Sequence, residues 1–134
     1  MSEHTVHLIG DGSGCQAQVI ATSASPDRCH ISLSYRERCV EGSGTNYFAA
    51  LQQIRLQLAS EGLKPRCHGA SLNVWPSGMC RSMGQGMLGY RLKNGATTTR
   101  DDLVRIFDDG PAVHPASVEE QRHFFEAWGK SLSD

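Results

Sequence analysis

An α+β fold is predicted for this 134-residue chain: an antiparallel sheet, made of an N-terminal meander plus central strands, packed against two main helices. Three observations predict it. The first third is β-prone and punctuated by turn clusters. Residues 29–39 alternate apolar and polar side chains with a period of two. Two later segments, 46–60 and 118–131, carry apolar stripes at helical spacing. A single domain over residues 1–134 is expected, because this length buries a core without disulfides or metal as obligatory staples. Apolar residues are 39% and charged residues 20%, too rich in core formers for a disordered chain.

Residues 5–9 and 17–22 are β-prone runs separated by Asp11-Gly12-Ser13-Gly14, which supplies positive φ and side-chain turn bonds, so a hairpin is expected. After the breaker at 23–27, residues 29–39 read as one half-buried strand, with Ile31, Leu33 and Tyr35 inward and Arg36 and Arg38 on the open face. Gly42-Ser43-Gly44 ends the strands. Thr45 is the expected N-cap of a helix reaching about Ser60, with Tyr47, Phe48, Leu51, Ile54 and Leu58 as its core stripe. Gln52, Gln53 and Arg55 point in other directions, and Gly62 sits where a left-handed C-terminal cap falls. Residues 66–75 are extended in character, and 87–93 form another strand ended by Asn94-Gly95. Thr99 can cap a short helix through Asp102, although residues 103–107 fit a strand equally well. Ser117 and Glu120 form a capping box for a final helix, whose inward stripe is Val118, Phe124, Phe125 and Trp128.

The most distinctive stretch is 75–90, where Gly78, Gly84, Gly86 and Gly89 share a loop with Met79, Met83, Met87 and Arg81. Glycine permits close backbone approach, and methionine offers soft apolar surface that adapts to a partner. The segment 84–89 matches the letters GxGxxG, with Asp109 downstream. It precedes a β-like run instead of opening a helix, which removes the dinucleotide-binding meaning. Pro76-Ser77-Gly78 lacks the first glycine of a nucleophile elbow, and nothing joins Ser77 or Cys80 to His68 or His114 as a base. The carboxylates Asp101-Asp102 and Asp108-Asp109 are adjacent pairs whose members diverge, so capping and solvation explain them better than a catalytic dyad. No catalytic residue is assigned.

Five cysteines make an odd set with no CxxC spacing, so neither a disulfide framework nor a zinc ribbon is indicated. Cys29-His30 and Cys67-His68 are neighbours that, on a strand, face opposite ways and cannot share an ion. No metal or cofactor is expected. The net charge of −1 argues against direct nucleic-acid binding through the phosphate backbone. From Thr99 onward eight acids face four bases, so the C-terminal part is acidic. The start lacks a basic segment and a signal core, and no run suits a membrane span, so a cytoplasmic location without membrane contact is expected.

Together, Cys67-His-Gly-Ala, Trp75-Pro-Ser-Gly-Met79, Met83-Gly-Gln-Gly86, Tyr90, Val118-Glu-Glu-Gln121, Phe125 and Trp128 resemble a group of small bacterial proteins. Some of these accompany polymorphic toxins of the contact-dependent inhibition and Rhs type and are thought to act as immunity proteins. The resemblance spans roughly 47–132 and brings no assigned activity or functional residues. It implies a non-enzymatic protein that binds and neutralises a cognate toxin C-terminal domain, with the N-terminal strands as the variable part that selects the partner. On this view the candidate contact residues are Met79, Arg81 and Met83 of the loop with Asp101, Asp102, Asp108 and Asp109. The competing class is a small enzyme or ligand-binding domain using the Gly/Met-rich loop 76–89. A structural subunit is a third class, left open by the exposed edge that a meander presents.

Overall fold

The computed structural model describes residues 1–10, 14–76 and 85–132. The meander is β1 (Ser2–Ile9), β2 (Cys15–Ser25), β3 (Arg28–Tyr35) and β4 (Arg38–Gly44). The helix α1 (Tyr47–Ala59) follows, and β5 (Lys64–Arg66) then pairs with β1, giving an antiparallel order β4-β3-β2-β1-β5. A second antiparallel sheet contains β6 (Val74–Trp75), β7 (Leu88–Arg91) and β8 (Leu103–Arg105) in that order. The chain closes with α2 (Val118–Ser131). The predicted antiparallel α+β class is the one observed.

Alternation builds the large sheet. Val6 and Leu8, then Ala17, Val19 and Ala21, then Cys29, Ile31, Leu33 and Tyr35 are all buried on one face, while their neighbours look outward. Against this face lies the stripe Tyr47, Phe48, Leu51, Ile54 and Leu58, as expected from its spacing. Because α1 touches β3 and β4 at one edge and β5 at the other, the sheet curls around the helix. Tyr47 and Phe48 belong to the core, not to a ligand platform.

The helix starts one residue later than Thr45 suggests. Asn46, extended at φ −153, is the N-cap, and its side chain accepts from the Ala49 amide at 2.8 Å. At the other end Gly62 adopts φ +75 and the Leu63 amide returns to the Leu58 carbonyl at 3.0 Å, closing the helix as predicted.

Three local expectations are corrected. Residues 29–39 are not one strand, because Arg36 and Glu37, at φ 46 and 63, make a two-residue turn between β3 and β4. Arg36 is therefore a turn residue, and Arg38 on β4 pairs with Glu61, which also receives the Tyr35 hydroxyl. Residues 66–75 are extended only at their ends, with a 3-10 turn at His68–Ala70 between them. There the amides of His68 and Gly69 donate to the carbonyls of Asp108 and Ile106, each at 2.8 Å, which holds the segment as a bend. Arg55 is buried at 4% exposure, although its spacing sets it outside the apolar stripe of the helix.

The open alternative at 99–107 resolves into both forms in sequence. Thr99 and Asp102 form a capping box over a 3-10 turn at Arg100–Asp102, and β8 follows at once. Ile106 and Phe107 enter the core, while Leu103 and Val104 are half-buried. The box at Ser117 and Glu120 opens α2 as predicted.

Candidate functional site

Residues 77–84 connect β6 to the return limb at Gln85, and Met79, Arg81 and Met83, like Ser77 and Cys80, lie outside the described residues. The two roots of this connection are well defined. On the return side, Gln85 adopts φ +51, its carbonyl accepts from the Tyr47 amide at 2.6 Å, and its Nε2 donates to Ser23 Oγ at 2.8 Å. The same nitrogen lies 3.3 Å from the carbonyls of Ser25 and Pro26. Gly86, at φ +81, sits so close to the start of α1 that an added Cβ would lie 2.9 Å from Asn46 Oδ1 and from the Phe48 nitrogen. Only glycine fits. This limb is therefore fixed to both the β2–β3 turn and the helix N-terminus.

The outgoing root is aromatic. Trp75, paired with Tyr90 across β6 and β7, stacks on Phe125 of α2 with ring centres 4.6 Å apart and planes 11° from parallel. It also meets Phe48 edge-on at 5.2 Å, so one ring joins the core to the surface row. Phe125 in turn faces Trp128 at 6.0 Å, and Trp128 Nε1 donates to the Ala96 carbonyl at 2.9 Å. Trp75, Tyr90, Phe125 and Trp128 are each half-buried. With Pro76 and Leu92 they border a crevice of about 50 Å³. That is far below the ~300–1,000 Å³ of small-molecule pockets, though wide enough to seat part of one side chain from a partner.

Of the predicted acidic contacts, Asp101 is exposed and its carbonyl accepts from Arg91 Nη2 at 3.0 Å. Asp102 is 8% exposed, and its carboxylate accepts from the Thr99 amide at 2.9 Å, so it is occupied as a cap. Asp109 is exposed, receives Arg66 Nε at 3.1 Å and caps the Gly110 amide at 2.6 Å. Asp108 is exposed at the rim of a larger cleft of about 410 Å³ beside β1 and β8. The two acidic pairs thus serve separate neighbourhoods.

His68 is buried, with a Nδ1 that has no partner, and burial followed by the Arg91 charge pulls its pKa below the usual value. His114 is exposed and donates its amide to Ser71 Oγ at 3.0 Å. Nothing described joins either imidazole to a nucleophile. A row that sequence reasoning missed lies on the outer face of β3 and β4. His30 Nδ1 is 3.0 Å from Ser43 Oγ and its Nε2 is 3.2 Å from Glu41 Oε1. The side chains of His30 and Glu41 are 41% and 65% exposed. A hydrolytic triad holds its base in a desolvated pocket beside oxyanion donors, whereas this row lies open on a pleated surface and serves as cross-strand pairing. Its signal in the sequence is only the antiparallel register.

Among the described residues no group of three or more His, Cys, Asp or Glu side chains is placed to hold a metal ion. No helix among them is long and apolar enough to cross a membrane. No family model and no curated protein matches the chain.

Proposed function

We propose that this chain is a non-enzymatic binding protein that neutralises a cognate bacterial toxin domain in the cytoplasm. One observation carries the binding half: the stacked, half-buried row Trp75, Phe125 and Trp128 at the root of the 77–84 connection. Tryptophan and tyrosine dominate interface hot spots because a large rigid ring desolvates well at small entropic cost. In the sequence Met79, Arg81 and Met83 follow Trp75 within eight residues, side chains whose chemistry, soft apolar and planar cationic, suits partner contacts. Neutralisation as the purpose is supported by the resemblance to immunity proteins and by the acidic C-terminal part, which suits a basic toxin domain.

The test is co-expression with the C-terminal domain encoded by an adjacent toxin gene, followed by purification of the complex. Protection of the host and a stable complex are expected. Trp128→Ala should speed dissociation about 30-fold, the equivalent of ~2 kcal/mol at a hot spot. Neutralising Asp101, Asp108 and Asp109 together should slow association at low salt, and the difference should shrink as screening shortens to about 10 Å at 0.1 M. If the host dies as readily as an unprotected one and no complex forms, the proposal fails and loop 76–89 becomes a small-molecule candidate.

A further inference from the structure

Among the described residues, half of one edge of β1 is left without a neighbouring strand. β5 covers it only where His7, Leu8 and Ile9 face Arg66, Pro65 and Lys64. Which backbone groups point to that side follows from the register. The two-residue β3–β4 turn makes Tyr35 and Arg38 a hydrogen-bonded pair, and the pairings Gln18↔Ser34 and His4↔Val19 carry that parity across the sheet. Even-numbered residues of β1 therefore bond to β2, and odd-numbered ones turn their N–H and C=O outward. Pro65, which has no N–H, stands opposite the even residue Leu8, as the same parity requires. Glu3 and Thr5 thus present their backbone groups to the open side, and no described strand meets them. Both residues are exposed.

The cleft of about 410 Å³ lies on the core-facing side of this edge, lined by Ser2, His4, Met87, Leu88, Arg105 and Phe107 among others. His4 shares its face with the buried Val6 and Leu8, and its ring stacks on Phe107 with centres 4.5 Å apart. A strand laid against β1 would bond to Glu3 and Thr5. Its residue opposite His4 would then occupy a non-hydrogen-bonded position with its side chain on the same face, directed into the cleft. The charges at the rim are unequal in their partners. Arg105 is exposed and has no carboxylate within ion-pair distance among the described residues. The charge of Asp108, at the same rim, favours protonation of His4 and His68.

We propose that the open edge of β1 and its cleft form a docking slot for an extended peptide segment of a partner protein. The segment adds to the large sheet as a strand beside β1, sets a large apolar side chain opposite His4, and carries a carboxylate for Arg105. Main-chain bonds supply affinity and the cleft supplies selectivity, the division of labour of strand-addition recognition. The slot is independent of the aromatic row and of the toxin assignment.

The test is selection from a phage-displayed library of random linear peptides of about 12 residues, long enough to fill the edge with flanks. The bait is the full chain. Enrichment is expected for peptides that alternate β-branched residues around one aromatic or large aliphatic residue and include Asp or Glu. Thr5→Pro removes one outward N–H and no ladder bond, so the fold should persist while affinity for the selected peptides drops about tenfold. Arg105→Gln should weaken the acidic peptides about threefold and leave uncharged analogues unchanged, whereas Glu126→Gln on α2 is the neutral control. Hydrogen exchange should show the Glu3 and Thr5 amides protected only when peptide is bound. The proposal is overturned if nothing is enriched, if selected peptides bind Thr5→Pro with full affinity, or if sedimentation shows a second copy of this chain closing the β1 edge.

Discussion

Gln121 is the one fully buried side chain of α2, and it is polar. Its Nε2 lies 3.1, 2.8 and 2.9 Å from the carbonyls of Gly69, Ser71 and Val74, so two protons serve three acceptors. Its Oε1 accepts from Arg55 Nη1 at 2.6 Å, and Arg55 Nη2 donates to the Ala116 carbonyl at 2.9 Å. Burial pulls the Arg55 guanidinium down to about 10, still high enough to keep it charged at neutral pH, and carbonyl dipoles stand in for a counter-ion. Gln121→Leu would leave that cation and several carbonyls short of partners. The expected cost is about 3 kcal/mol or more, read as a lowered urea midpoint with an unchanged slope. A loss under roughly 1 kcal/mol would mean that water replaces the amide. This clasp was illegible in the sequence, because Arg55 and Gln121 read as polar positions of amphipathic helices. Their partners at Gly69 and Ala116 come together only through the tertiary fold. The thiols sort by burial as well. Cys67 is enclosed and pushed up to about 11, and burial raises Cys29, whereas Cys39 is exposed. Iodoacetamide followed by mass spectrometry should label Cys39 readily and Cys67 only on unfolding.

At the scale of elements, apolar periodicity found the strands that line the core and both long helices, because burial acts on every second or every third to fourth residue. It failed where backbone geometry turned without a glycine. Arg36-Glu37 makes a left-handed turn from two charged residues, so the alternation on either side looked continuous. It failed also on α2, whose apolar stripe suggested a core helix. Phe124, Phe125 and Trp128 are only half-buried, because Gln121 takes the inward position and the rings stack along the surface. The aromatic members of the candidate site were thus visible as residues, but their row was not, since Trp75 and Phe125 lie far apart in the chain. Phe125→Ala and Trp128→Ala should each cost about 1–2 kcal/mol, short of the ~3–5 kcal/mol of a buried ring, because much of each ring stays in water. A loss near the upper figure, measured by thermal or urea unfolding, would place these rings in the core and remove them as partner anchors.

Over the whole molecule, one apolar core joins the curled five-stranded sheet and α1 to Ile106, Phe107 and Trp75 in and beside the small sheet, and polar and aromatic contacts accompany it. Two of these contacts are titratable. His4 of β1 stacks on Phe107, and His68, the first residue of the 3-10 turn, is buried against the 106–110 segment. Both pKa values fall below the usual 6.5. Desolvation is the main cause in each, with Asp108 opposing it at His4 and the Arg91 charge adding to it at His68. Below pH 6.5 the unfolded chain takes up protons that the folded one refuses, so stability present above 6.5 declines as pH falls toward the folded-state values. The loss should begin at the joint and not in the large sheet. Native-state hydrogen exchange, corrected for intrinsic rates and compared at pH 7 and about pH 5.5, should show protection falling in β6, β7, β8 and α2 while β2 and β3 hold theirs. His68→Gln, which cannot titrate, should flatten the pH dependence even if it lowers stability at pH 7. A uniform decline across both sheets, or a slope untouched by His68→Gln, would show that carboxylates elsewhere govern the acid response.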